Sequence, residues 1–389
     1  MRTISFGIVA ALLACVTSLL TQELNARDLP AQRWAIDLNS SADVQDAGPI
    51  DANTRIILAF LGQNRFAVAL LFPIRINGKF PPSRDEETWR ALLLSVEGTD
   101  GKIAHSFRFD DFHGEGANPD WLQMGVVNSD ELLVNFGNQL VRFSSDLVPL
   151  ARRTLPREMK VRNGLHYYDH WRFLTDPLRV TALLTHVNVG GSADNRWIST
   201  RDLAEVEASH FGNFHSSRLV LVGRRVVFTN SDFKSKKSTA MVEADGQAAR
   251  PLCDGAVFAS FGKSLLFLHR RPAASHVVVN LQGEEIYERK RGFGADTILA
   301  ASGAAQSNRI AFVYGALRGS LFGGWSSNDH IVVLDADLKR EIEVPNLPDK
   351  GVHVGDQAQV FNSPALALSP DGRALAVAKG ARVTLWDLP

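Results

Sequence analysis

The stretch "LALSPDGRALAVAKGARVTLWDLP", Leu366 to Pro389, decides the fold. Ser369-Pro370-Asp371-Gly372 is a turn sequence, in which proline pre-sets one backbone angle and glycine supplies the tight corner. Ala374 to Ala378 after it is apolar throughout, as in a strand covered on both faces. Arg382 to Trp386 alternates as a half-buried strand, and Leu366 to Leu368 before the turn makes a third. The unit stops one strand short of a finished sheet, so the missing strand has to come from elsewhere in the chain.

The phrases "SPDGRALAVA" and "VTLWDL" resemble a blade of the WD40-like and YVTN-type β-propeller repeat proteins. Trp386-Asp387 stands where the first of those families has its name-giving dipeptide. The Gly-His pair usual in that family is missing from this unit. The resemblance covers Leu366 to Pro389 and implies an all-β propeller with a binding role for the ring.

The same phrase recurs upstream as an apolar strand, a polar turn and a second strand. It reads "ALLLSVEGTDGKI" (Ala91 to Ile103), "LVRFSSDLVP" (Leu140 to Pro149) and "RWISTRDLAEV" (Arg196 to Val206). It continues as "AMVEADGQA" (Ala240 to Ala248), "VVVNLQGEEI" (Val277 to Ile286) and "IVVLDADLKREI" (Ile331 to Ile342). Anchored on Asp100, Asp146, Asp202, Asp245, Gln282 and Asp337, the spacings are 46, 56, 43, 37 and 55, the period of propeller blades with variable loops. Two short apolar runs precede each phrase, for example Ile56 to Phe60 with Phe66 to Leu71. Six four-strand units plus the closing one make a seven-bladed β-propeller. Arg33 to Leu38 is the expected closing strand, which would complete the last blade and remove exposed edges. One domain, residues 27–389, is expected, with about 52 residues per blade.

The start of the chain reads as an export signal, residues 1–26. Arg2 gives positive charge, Ile4 to Leu20 is mostly apolar but short for a membrane span, and Leu24-Asn25-Ala26 is an acceptable cleavage site. A second reading takes Leu12-Leu13-Ala14-Cys15 as a bacterial lipobox, with Cys15 acylated. The expected location is therefore periplasmic or secreted, or the outer membrane if Cys15 carries lipid. A membrane association is expected only through that anchor. After cleavage Cys253 is the one remaining cysteine, which excludes an intrachain disulfide and a thiolate zinc site. Lys plus Arg and Asp plus Glu both number 42. That balance gives no steering towards nucleic acid, and a monomer is expected.

Scaffold strands build the ring, so function is sought in long connections. With strands a to d counted outward from the centre, the b–c loops and d–a connections emerge on one face. The long ones are expected at Pro73 to Glu87, Val187 to Asn195, Asn230 to Ser238 and Gly315 to Asn328 (b–c), and at Asp110 to Trp121, Glu158 to Leu178 and Pro345 to Pro364 (d–a). Candidate ligand-face residues follow: His113, Glu115, His166, Asp169, His170, His210, His215, Trp325 and His353. Neutral imidazole with carboxylate suits a divalent metal, with His166 and His170 sharing a face only if that segment is helical. No cofactor is otherwise expected, since phosphate-loop, nucleophile-elbow and His-Glu-x-x-His motifs are absent. The tryptophans fall about one per unit and are read as packing between blades, Trp325 excepted because its surroundings are glycine-rich. The main reading is a non-catalytic module that binds a protein or peptide. The competing reading is a metal- or quinone-dependent propeller enzyme, lactonase-like or dehydrogenase, working on the histidine-bearing face.

Overall fold

The computed structural model describes residues 29–51, 54–73, 88–113, 122–128, 130–156, 159–162, 165–168, 170–176, 181–187, 193–211, 219–232, 237–270, 275–290, 297–319, 325–345 and 364–389. They form seven four-stranded antiparallel sheets arranged as the blades of a β-propeller. Blade 7 is completed by β1 (Ala31–Asp37), the first strand of the chain. Blade 1 is β2 (Arg55–Leu61), β3 (Arg65–Pro73), β4 (Thr88–Glu97) and β5 (Ile103–His113). Blade 2 is β6 (Leu122–Val127), β7 (Glu131–Phe136), β8 (Gln139–Phe143) and β9 (Pro149–Thr154). A two-stranded hairpin, β10 (Met159–Arg162) and β11 (Leu165–Tyr168), is inserted before blade 3. Blade 3 is β12 (His170–Thr175), β13 (Thr181–Val187), β14 (Ala193–Ser199) and β15 (Glu205–Ala208). Blade 4 is β16 (Leu219–Val222), β17 (Arg225–Asp232), β18 (Lys237–Ala244) and β19 (Arg250–Asp254). Blade 5 is β20 (Ala256–Phe261), β21 (Leu265–Arg270), β22 (Ser275–Val279) and β23 (Glu285–Lys290). Blade 6 is β24 (Thr297–Gly303), β25 (Arg309–Gly319), β26 (Trp325–Asp335) and β27 (Arg340–Val344), and blade 7 is β28 (Ala365–Leu368), β29 (Ala374–Lys379), β30 (Arg382–Asp387) and β1.

The innermost strands touch in sequence around the ring, and β28 meets β2 to close it. Closure depends on β1 pairing with β30, from Ala31 opposite Asp387 to Asp37 opposite Arg382. The expected closing strand is therefore the observed one. All six recurrent phrases span the turn between the third and fourth strands of a blade.

A blade is covered on both sides by its neighbours, so its inner strands are apolar at consecutive positions and still sort by period two. Along β3, Phe66, Val68, Leu70 and Phe72 enter the seam with blade 7, while Ala67, Ala69 and Leu71 enter the seam with blade 2. Volume alternates with side. The bulky row meets Ala367, Ala374, Ala376 and Ala378 of blade 7. The lean row, with Ala59 and Ala91, meets Phe136, Phe143 and Leu122 of blade 2. Large against small fills the gap at native density without strain. A short helix, α1 (Ala42–Ala47), adds Val44 and Ala47 to the seam between blades 7 and 1.

The two faces of the ring differ. The a–b and c–d turns span two to five residues each. Many are latched to the next blade: Gly262 N–H donates to Ala304 O (2.8 Å), Gln306 N–H to Pro370 O (2.8 Å) and Ser95 Oγ to Ser145 O (3.0 Å). The Ser369–Gly372 turn is packed as closely. Gly372 has φ +74, and a Cβ there would stand 2.4 Å from Ser307 Oγ of blade 6. Its carbonyl accepts from Arg309 Nη1 at 3.2 Å. The strand ends joined by the long connections all lie on the opposite face.

Candidate functional site

Several expected loop residues sit in strands. β5 runs through His113, so Asp110 lies at a bulge within the strand and His113 pairs opposite Thr88. β25 and β26 extend to Gly319 and Trp325, so most of the expected Gly315–Asn328 loop is a two-stranded ribbon and Trp325 lies opposite Gly319. A ladder needs backbone partners, and polar side chains are tolerated where a hairpin runs out towards solvent. His166 belongs to β11, opposite Val161, and His170 is the first residue of β12, opposite Val187. The segment is a hairpin followed by an innermost strand, not a helix, so no helical face joins the two histidines. Asn163-Gly164 between β10 and β11 was the available signal, since Asn-Gly is the preferred two-residue hairpin sequence. Glu115, Asp169, His215 and His353 lie outside the described residues, as do residues 1–26 with Cys15. Among the described residues no group of three or more His, Cys, Asp or Glu side chains is placed to hold a metal ion.

His210 does lie in the connection from blade 3 to blade 4, but its backbone N–H donates to Asp245 Oδ1 (2.7 Å), in the c–d turn of blade 4. Four further histidines have packing roles, and His105 faces Asp146 of blade 2 at 3.2 Å. His186 stacks on Trp171 (4.5 Å), His330 on Tyr314 (5.0 Å), and His269 and His276 are buried among Phe258, Phe267, Phe312 and Tyr314. Trp89, Trp171, Trp197 and Trp386 are buried, and Trp34 stacks on Phe66, as the packing reading expected. Cys253 is half-buried, and burial pushes its thiol up, which disfavours the reactive thiolate.

The described cavities run from the innermost strands to the short turns of blades 3, 4 and 5. The innermost strands of blades 1 to 5 enclose about 380 Å³, lined by Arg55, Gln123, Met124, Thr175 and Ser260 among others. Gly125 lets β12 approach there, because a Cβ would stand 2.7 Å from Thr175 Oγ1 and 2.9 Å from Phe173. A small cavity of about 60 Å³ shares Leu221 and Ser260 with the channel. It also shares Asp176, Val222, Lys263 and Ser264 with a third cavity of about 760 Å³. This third cavity lies between the turns of blades 4 and 5 and is bordered by Arg224, Arg225, Lys263, Asp176 and Asp245.

Its walls are fixed by polar latches. Asp176 Oδ2 accepts from Gly223 N–H at 2.9 Å, tying blade 3 to blade 4. Asp245 Oδ2 accepts from Trp197 Nε1 (2.8 Å) and Arg224 Nη2 (3.0 Å). Burial opposes ionisation of Asp245, but the His210 N–H, the Trp197 indole N–H and the Arg224 guanidinium outweigh it. They hold its carboxyl below the usual carboxylate range. Arg224 is also paired with Glu207 and lies over the Trp197 ring, 4.9 Å from its centroid. Asp245 and then Glu207 raise its pKa. None of this was legible as a motif, because the groups come from turns of three blades.

No family model and no curated protein matches the chain. Among solved structures it is similar to a chain of the mitotic checkpoint complex, at 13% identity over 92% of this chain and 94% of that one, TM-score 0.49. It is also similar to the β-propeller domain of the trilobed protease from Pyrococcus furiosus, at 8% identity over 86% and 96%, TM-score 0.49. A third is puromycin hydrolase, at 15% identity over 85% of this chain and 52% of that one, TM-score 0.44.

Proposed function

We propose that this chain is an exported, WD40-like propeller that acts as a non-catalytic module and presents to a protein or peptide partner the face that carries its long d–a connections and the long b–c connection between β3 and β4. The observation that carries the reading is the asymmetry of the ring. One face consists of turns of two to five residues latched blade to blade, while the long connections join strand ends at the other. Sequence variation for recognition is tolerated where it leaves the ladder intact. The proposed ligand-face residues are His113, Glu115, His166, Asp169, His170, His215, Trp325 and His353.

Photo-crosslinking side chains placed singly at Glu115, Trp325 and His353, with Gln63 in a short turn as control, test this in the cells that make the protein. Capture of one partner from the first three positions and not from Gln63 is expected. Equal capture from Gln63, or none from any position, overturns it. Elemental analysis separates the enzyme reading: a stoichiometric metal lost in His166→Ala/His170→Ala would replace the scaffold role with a metal-dependent one. The mass of the exported chain decides between a start at Arg27 and acylation at Cys15.

A further inference from the structure

The cavity between the turns of blades 4 and 5 is lined by three cations, Arg224, Arg225 and Lys263, and two carboxylates, Asp176 and Asp245. Arg225 opens β17 beside the a–b turn of blade 4, and Lys263 lies in the a–b turn of blade 5. Both are exposed, and neither side chain makes a hydrogen bond or ion pair with any described residue. Arg224 is held in place by the Trp197 ring and by Asp245 and Glu207, yet all its described hydrogen bonds use Nη2, so Nε and Nη1 donate to no described residue. The two acids on the wall are engaged structurally. Asp245 serves Trp197, His210 and Arg224 with both oxygens, and Asp176 receives the Gly223 N–H. The Gly223 N–H leaves the Asp176 charge in place, so three cations and two carboxylates give the lining a net charge of +1, and neither the Arg225 nor the Lys263 side chain is ion-paired among the described residues. Ser264 adds a hydroxyl to the same lining.

We infer that this cavity is a binding site for a small, multiply charged oxyanion, a phosphate-bearing or polycarboxylate molecule. Its size of about 760 Å³ falls in the range of about 300–1,000 Å³ found for small-molecule sites. Guanidinium groups bind planar oxyanions through paired N–H donors, and an ammonium group adds a mobile point charge. A rigid Arg224 beside two unpaired cations on separate blades suits a ligand with two or more charged groups better than a single carboxylate. The site stands on the face opposite the proposed partner surface, so it does not depend on that reading.

Isothermal titration of the purified full chain at low ionic strength tests it, with orthophosphate, pyrophosphate and citrate as probes. Saturable binding of one equivalent of pyrophosphate or citrate is expected, tighter than orthophosphate and weakened by added salt. Lys263→Gln and Arg225→Gln should each weaken it about tenfold. Both residues are exposed, so folding should be unaffected, and circular dichroism confirms that. Arg382→Gln removes the same charge on the far face, at the start of β30, and should change nothing. Preference for pyrophosphate over citrate would assign the ligand to phosphates, and the reverse to carboxylates. Absence of saturable binding to the wild-type chain, or equal weakening by Arg382→Gln, overturns the inference.

Discussion

Between blades 7 and 1, eighteen buried apolar side chains meet among the described residues; between blades 3 and 4, five do. The first seam is bulk against alanine, with Phe60, Phe66 and Phe72 on one side and Ala374, Ala376 and Ala378 on the other. The second consists of Leu183, Trp197, Phe211, Leu221 and Val226, and it is supplemented by Asp245, Arg224 and Asp176 acting across the blades. Where the chain has to close on its own beginning, non-directional burial dominates. Where a cavity opens beside the seam, directional bonds take over part of the joining. Two blades of a ring can thus be joined by directional bonds where their apolar seam is thin.

The largest effect should come from emptying the thick seam. Phe66 is fully buried and stacked on Trp34, so Phe66→Ala should lower unfolding free energy by about 3–5 kcal/mol in guanidinium titration. A loss below about 1 kcal/mol would show that packing does not dominate there. Overfilling the same seam should cost less. Ala376→Leu forces a larger side chain against the bulky row and should destabilise by about 1–3 kcal/mol.

Asp245→Asn probes the thin seam. It keeps the shape but weakens the charge-assisted bonds, so a loss of about 1–3 kcal/mol is expected near neutral pH. The folded carboxyl titrates below its unfolded value, so its contribution is present above the ordinary carboxylate range, about pH 4, and fades as pH falls through the folded value. Wild type and Asp245→Asn should therefore converge in acid. A gap that stays constant from neutral pH into acid would assign the loss to shape and not to charge. The smallest effect is expected from Asp387→Asn. It breaks the partly exposed pair with Arg33 at the closing strand and should shift stability by less than about 1 kcal/mol.

The ring was legible because its strands punctuate themselves. Asp100, Asp146 and Asp245 mark c–d turns of similar length, and Ser369-Pro370-Asp371-Gly372 specifies its corner by chemistry alone. The closing strand was legible from arithmetic, as a three-strand unit at one end and an orphan strand at the other. The hairpin β10–β11 was missed because the alternation in "MKVRNGLHYY" lasts only four residues on each side of the turn and His166 drew the reading towards a metal site, although Asn163-Gly164 marked the turn. The cavity was not legible at all. Arg224, Arg225 and Lys263 are ordinary surface residues in a linear reading, and only the stacking of blades 4 and 5 puts them together.

Along β3, blade 1 has one bulky row and one leaner row, and its two neighbours answer each with the opposite volume. Such a sheet is a keyed tile: its lean face would accept its own bulky face. Copies of it would stack head to tail in a single sense and would clash or gape if one were reversed. Handedness of assembly is then written in side-chain volume as well as in backbone twist. A ring containing this tile could gain or lose a like unit beside it without redesigning either contact surface.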